Sequence, residues 1–274
     1  MEIKDIAGFG EIFKRVLDSL EKGISSILSP YVYKQMERAK LLIEQEHSEQ
    51  NAIVALKEAM TQDMIAVCKT TRDRNELHNI VEIYGGAIAE LQNFDTSKLP
   101  AHLPSNEWAA HFYDCAKDCS DEEIRILWAK ILSGEIKSPG KYFKRTLTYL
   151  KQIEKHEAAW FVELCKYSVE NCYIPSFVLQ EGILPINQYQ SLVDCGFVNA
   201  SDCAISINTE TVFSLKGRKI KVVPNDVYTM RIMTFTDTGM QMCELINVEA
   251  DTNFISTFID KINNTNHAVA SEAL

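Results

Sequence analysis

The chain is predicted to be mainly α-helical with a smaller α+β module toward its C-terminal end, on three observations. Apolar residues recur every three or four positions from the start of the chain to about Val169, the period of helices with one covered face. Neither glycine nor proline stands between Tyr31 and Tyr84, where good helix formers dominate. After Pro175 the pattern changes to short runs rich in β-branched residues, divided by turn-forming pairs, which is the mark of strands.

Composition sets the frame. The 274 residues carry 28 basic and 38 acidic side chains, a formal net charge of −10, and are 46% hydrophobic. This is globular composition and excludes disorder and collagen. No run approaches the roughly 18 uncharged apolar residues of a membrane span. The start, Met1-Glu-Ile-Lys-Asp5, lacks the basic-then-apolar order of a secretory signal, so a soluble cytoplasmic protein is expected. Eight cysteines without a repeated spacing, in a chain this long, read as reduced thiols.

The first helix is expected from Ile6, Phe9, Phe13, Val16, Leu17, Leu20, Ile24, Ile27 and Leu28. Met36 to Val67 continues the pattern, with Glu44 to Gln50 either a hairpin turn or the polar middle of one long helix. Leu77, Ile80, Val81, Tyr84, Ile88 and Leu91 form a further stripe suited to helix packing. Long helices of this kind need a partner surface, so residues 1–92 are read as a long-helix region that self-associates. Residues 93–106, with Pro100 and Pro104, read as a linker.

Residues 107–174 read as a central helical domain. Ser120-Asp-Glu-Glu123 fits a capping box with the Ser120 hydroxyl as cap. Ile124, Leu127, Trp128, Ile131 and Leu132 follow on one helix face, which is expected to end at Gly134 ahead of Pro139. Tyr142 to Ile153 and Glu157 to Val169 continue as helices. Residues 175–262 begin with a short helix from Asn187 that stops at Gly196. Strands are then expected at Ile205 to Ile207, Thr211 to Leu215, Ile220 to Val223 and Val227 to Phe235, turning at Lys216-Gly217 and Pro224-Asn225-Asp226. Helices follow from Thr236 and near Phe254 to Ile262. Helix, strands with a turn, then helix is the order of a winged-helix-like module. Residues 263–274 read as a polar, fraying tail.

The segments Ser120-Asp-Glu-Glu123, Leu127-Trp-Ala-Lys-Ile-Leu-Ser-Gly-Glu-Ile-Lys-Ser-Pro-Gly140 and Arg145-Thr-Leu147 resemble the signature of an uncharacterised bacterial family, domain of unknown function 2806. The likeness extends more weakly to Ile27-Leu-Ser-Pro30, to Asn79-Ile-Val-Glu-Ile83 and to the helix start at Thr236 to Gly239. Where that family often has serine after the proline-glycine pair, this chain has Lys141-Tyr-Phe-Lys144. The central segment is also distantly similar to abortive-infection alpha proteins. The resemblance implies a bacterial cytoplasmic protein with a place in phage defence, and implies no reaction.

Several constellations carry candidate chemistry. Arg72 and His78 fit the arginine-polar-x4-histidine pattern of HEPN ribonucleases, in which the cation holds the scissile phosphate and the imidazole moves protons. The plain alternative is a charged helix face. His111, Cys115 and Cys119 share a face, but three side chains spread over roughly 12 Å of helix rise do not converge on one metal, so neither a metal nor a cofactor is expected. Lys137, Lys141, Lys144, Arg145 and Lys151 make a basic run without an acid, interleaved with Tyr142, Phe143 and Tyr149. Pro139-Gly140 there leads into a helix whose free amides would face an anion such as a phosphate or nucleic-acid backbone. The alternative is a solvated face with the aromatics packed inward. Lys216, Gly217, Arg218, Lys219 and Lys221 form a basic wing candidate, behind a short helix carrying Gln188, Gln190 and Asp194 but no cation. The net charge opposes broad nucleic-acid affinity.

The reading expected from sequence is therefore a non-enzymatic binding or regulatory protein of phage defence or stress, self-associating through its N-terminal helices and open to a protein partner. A HEPN-like dimeric ribonuclease and a membrane-disrupting effector using residues 1–28 are the alternatives.

Overall fold

The computed structural model describes residues 71–92, 94–246 and 248–273, together with Ile12, Arg15, Val16, Asp18, Ser19 and Val54 as single helical residues. Most of the helical reading for residues 1–70 lies outside the described residues. The chain divides into two compact units, residues 1–151 and 152–274.

The first unit contains α1 (Thr71–Leu91), a 3-10 turn (Thr96–Lys98), α2 (Asn106–Ala116), α3 (Glu122–Lys137) and α4 (Lys144–Gln152, whose last residue falls in the second unit). The stripe of Leu77, Ile80, Val81, Tyr84, Ile88 and Leu91 is fully buried, and α1 packs chiefly on α3. That stripe is therefore covered within the chain. Gly86 permits the approach: a Cβ there would lie 2.9 Å from the Cβ of Ala129. Trp128 lies edge-on to Phe112, with ring centroids 5.4 Å apart, and Phe112 stacks on Trp108 at 5.2 Å. The Trp108 indole N–H donates to the Tyr142 carbonyl at 2.8 Å, so its one polar atom is satisfied on burial. Asn79 is a buried polar staple: it donates to the Lys117 carbonyl at 2.9 Å and accepts from Arg125 at 3.1 Å.

Two expectations about α3 are corrected. Its N-cap is Asp121, whose carboxylate accepts from the amides of Glu123 and Ile124 at 3.0 and 3.2 Å, one residue beyond the Ser120 cap expected from sequence. A carboxylate is the stronger acceptor and also suits the positive end of the helix dipole. The helix also runs past Gly134 to Lys137. Gly134 is an interior glycine because the Tyr142 ring occupies its side-chain space, with Cε2 2.8 Å from where a Cβ would stand.

The second unit contains α5 (Lys155–Cys165), β1 (Tyr173–Pro175), α6 (Phe177–Gln180), α7 (Ile186–Asp194), β2 (Cys203–Ile207), β3 (Thr211–Leu215), β4 (Arg218–Pro224), β5 (Tyr228–Thr234), α8 (Asp237–Leu245), α9 (Thr252–Asn263) and β6 (Ala268–Glu272). The protein is thus mixed rather than purely helical, with two small antiparallel sheets of strand order β1-β5-β2 and β3-β4-β6. α7 is held by its own unit: Ser191 donates to Glu157 of α5 at 2.9 Å, and the Tyr189 hydroxyl donates to the Asn199 carbonyl at 2.9 Å. α8 begins at the expected Thr236, whose hydroxyl accepts from the Gly239 amide at 3.0 Å. Gly239 is required there, since a Cβ would sit 2.0 Å from the Phe197 carbonyl oxygen.

Strand β6 lies in the segment read as a fraying tail. Its alternation puts Ala268 and Ala270 inward, and α9 packs on it. Small residues at an inward period of two make a strand that carries little hydrophobic signal in sequence.

Candidate functional site

The Pro139-Gly140 turn does present amides to an anion, but the anion belongs to the chain. The Glu135 carboxylate accepts from the Gly140 amide at 2.6 Å and from the Tyr142 amide at 3.0 Å. Its side chain is enclosed, with the residue 1% exposed. Burial pushes its carboxyl above the ordinary range, and the amides of Gly140, Tyr142 and Lys141 pull against that rise. Glu135 of α3 thus occupies the amides of the turn itself, whereas the expectation of a docked phosphate concerned the amides at the start of the following helix, α4.

The basic run meets acids and rings of its own unit. Lys144 pairs with Glu107, and Lys151 lies 3.1 Å from Asp118 and donates to the Asp114 carbonyl at 2.8 Å. Lysines seven apart on α4 thus meet acids of α2 and of the turn after it. Lys137 lies 5.2 Å from the Phe94 ring centre, Lys141 5.5 Å from that of Tyr142, and Arg145 4.9 Å from that of Phe143.

Arg72 and His78 are both exposed on α1, roughly 120° apart around the helix. The Arg72 guanidinium binds Glu76 at 2.7 Å and lies 3.8 Å from Asp118. His111 Nε2 stands 2.9 Å from the Thr148 hydroxyl, 3.2 Å from the Lys144 carbonyl and 3.7 Å from Cys115 Sγ, whereas Cys119 Sγ lies 3.7 Å from the Asp121 carbonyl. These three do not share a centre. No group of three or more potential metal ligands occurs among the described residues.

The wing candidates are likewise engaged. Arg218 lies 3.5 Å from Glu272 and Lys221 2.8 Å from Glu210, while Lys219 is exposed. On α7, Gln190 and Asp194 are exposed and bonded to each other at 3.2 Å, with Gln188 half-buried.

Lys216 departs from this surface pattern. Lys216 and Gly217 form the two-residue connection between β3 and β4, with φ of 47° and 90°. Positive φ at both positions is the type I′ hairpin geometry, which favours asparagine or glycine and which a lysine enters at a cost. The ammonium reaches inward, donating to the Cys243 carbonyl at 3.0 Å and lying 3.2 Å from the Cys243 sulfur. Cys165, at the end of α5, and Cys243, in α8, are both 0% exposed, and the Ser168 hydroxyl donates to the Cys165 carbonyl at 2.8 Å. The Ser168 hydroxyl and Asn171 Oδ1 stand 3.5 and 3.8 Å from the Cys243 sulfur. The hydrogen bond from Cys165, with the charge of Lys216, lowers the Cys243 pKa against the opposing effect of burial, while burial drives Cys165 upward.

A cavity of about 280 Å³ abuts this cluster, with Glu170, Asn171, Lys216 and Glu244 in its wall. Four non-glycine residues among those described have positive φ, and three of them, Glu170, Asn171 and Lys216, line this one cavity. Glu170 is fixed from both ends: its amide donates to the Ser214 carbonyl at 2.8 Å, and its carboxylate accepts from the Ser214 amide at 2.5 Å. Strained backbone held by such bonds concentrates at working sites. Sequence reasoning missed this cluster, because its members are scattered from position 165 to 243. The signal that was present is a lysine ahead of glycine at a turn where asparagine is the usual choice.

Residues 68–179, under half of the chain, match the family model described as a protein of unknown function, DUF2806. No curated protein and no solved structure matches the chain. Within the matched range Trp128 fills the helical core, Gly134 admits Tyr142, Glu135 receives the Gly140 turn, and Thr146 and Leu147 are buried. No helix among the described residues is long and apolar enough to cross a membrane.

Proposed function

We propose that the protein is a binding or regulatory protein whose second unit is a winged-helix-like module that docks a protein partner through α7. The observation that carries this reading is topological. α5, β1, α6, α7, β2 and β5 follow the helix-strand-helix-helix-strand-strand order of winged helices, and the sheet order β1-β5-β2 is the one that order requires. The β3–β4 hairpin then stands where a wing would. The charge on α7 favours protein over nucleic acid: its exposed residues include Ile186, Gln190 and Asp194, and it carries no cation. Lys216, Arg218 and Lys221 of the hairpin meet groups of their own unit, which leaves little charge for phosphates.

A photo-reactive amino acid placed at Gln190, and separately at Lys219, tests this in cells producing the full chain. Crosslinks from position 190 to protein support the reading, and crosslinks to nucleic acid from either position overturn it. Placement in phage defence rests on the resemblance of the central segment to abortive-infection alpha proteins; an unchanged efficiency of plating on deletion of the gene would remove it. Self-association through residues 1–92 must use surfaces other than the buried stripe of α1, and light scattering on the full chain against one lacking residues 1–70 tests it.

A further inference from the structure

We propose that Cys243 and Cys165 are a modification site, a dithiol that peroxides convert to a disulfide, with Lys216 as the residue that activates Cys243. Three independent features converge on this. Both are free, fully buried thiols, and Ser168 spans them although one lies in α5 and the other in α8: its hydroxyl donates to the Cys165 carbonyl at 2.8 Å and stands 3.5 Å from the Cys243 sulfur. A cation is held against the Cys243 sulfur at 3.2 Å from a hairpin position that a lysine occupies only under strain. A cavity adjoins them, walled in part by Lys216 and Asn171, which stand 3.2 and 3.8 Å from the Cys243 sulfur, so that a small polar oxidant held in it is separated from that sulfur by these two side chains. A peroxide fits this site better than a bulky disulfide such as glutathione disulfide, because both cysteines are wholly buried.

The chemistry balances with hydrogen peroxide as the named oxidant. The Cys243 thiolate attacks one peroxide oxygen, the O–O bond breaks, and hydroxide leaves, taking a proton to become water; Cys243 is then a sulfenic acid. The Cys165 sulfur attacks the Cys243 sulfur, the S–O bond breaks, and the thiol proton leaves with that oxygen as a second water. Two thiols are oxidised to one disulfide and one peroxide is reduced to two waters. Loss of the thiolate removes the counter-charge of Lys216, leaving the β3–β4 turn attached there only through the Cys243 carbonyl.

The test is graded hydrogen peroxide on the full chain, followed by alkylation in denaturant and non-reducing peptide mapping. The expected product is a linked peptide pair containing Cys165 and Cys243, reversed by dithiothreitol and formed at lower dose than any change at Cys203, which is exposed. Lys216→Met should slow its formation roughly tenfold through loss of thiolate. In Cys165→Ser, dimedone should trap the sulfenic acid at Cys243. The proposal is overturned if Cys203 oxidises while Cys165 and Cys243 both remain alkylatable, or if Cys243 passes to the sulfinic acid without linking to Cys165. The first of these readouts uses the unaltered chain and so does not depend on whether a variant folds.

Discussion

Glu135 in the first unit and Cys243 in the second are both ionisable side chains shut away from solvent, at 1% and 0% exposure. Their surroundings differ in kind. Glu135 is answered by amides a few residues along the chain, within a turn whose one left-handed residue is Gly140, with φ of 90°. Cys243 is answered by groups gathered from remote parts of its unit, held by lysine, glutamate and asparagine in left-handed backbone, with open space beside them. A buried charge satisfied locally and without strain is a fastening. One satisfied remotely, under strain and next to a cavity, is the arrangement expected where chemistry takes place.

The sharpest break would come at the fastening. Glu135→Ala should destabilise the chain by about 3 kcal/mol, since the Gly140 and Tyr142 amides lose their acceptor, and Glu135→Gln by about half as much. Urea unfolding followed by tryptophan fluorescence measures this, and an unchanged midpoint in the alanine variant would mean that Glu135 is not what orders the turn. Gly134→Ala should cost about 2 kcal/mol by forcing the Tyr142 ring aside in a close-packed site.

The effects at the second site should be smaller in stability and larger in chemistry. Lys216→Asn suits the hairpin better than lysine and should leave the unfolding midpoint within about 1 kcal/mol of the original, while thiolate absorbance at 240 nm falls. The pH dependence has a defined sign. Because the folded state lowers the Cys243 pKa, the stability it confers is present above the ordinary thiol value and is lost as pH falls toward the lowered one. The raised Cys165 acts in the opposite sense, its contribution being lost only as pH rises beyond the ordinary value. Stability should therefore increase from mildly acidic pH toward the ordinary thiol range, and Cys243→Ser should flatten that slope. The smallest effect is expected at the exposed face of α1: purified protein carrying His78→Ala should match the unaltered chain in leaving total RNA intact, and cleavage lost only in the variant would restore the ribonuclease reading.

Much of the fold was legible before the structure. The period of Leu77 to Leu91, the burial of Trp128, the stop at Gly196, the start at Thr236 and the Lys216-Gly217 turn are each governed by residues within one or two turns of chain, where periodicity and capping rules act. The shift of the α3 cap from Ser120 to Asp121 is an error of the same local kind, between two adjacent acceptors. The basic run at Lys137 to Lys151 was readable as charge but not as pairing, because Glu107, Asp114 and Asp118 reach it only after α2 and α4 have packed.

What the residues by themselves determined, then, is where helices and strands form and which face of each is greasy, since these follow from side-chain period and backbone preference over a few residues. Only the tertiary structure decided that Glu135 fills the turn ahead of α4, and that Ser168, Asn171 and Lys216 gather round the Cys243 sulfur, the last two beside a cavity. Such meetings depend on which elements close on one another, and that choice is made by core packing summed over the whole unit rather than by any local stretch of chain.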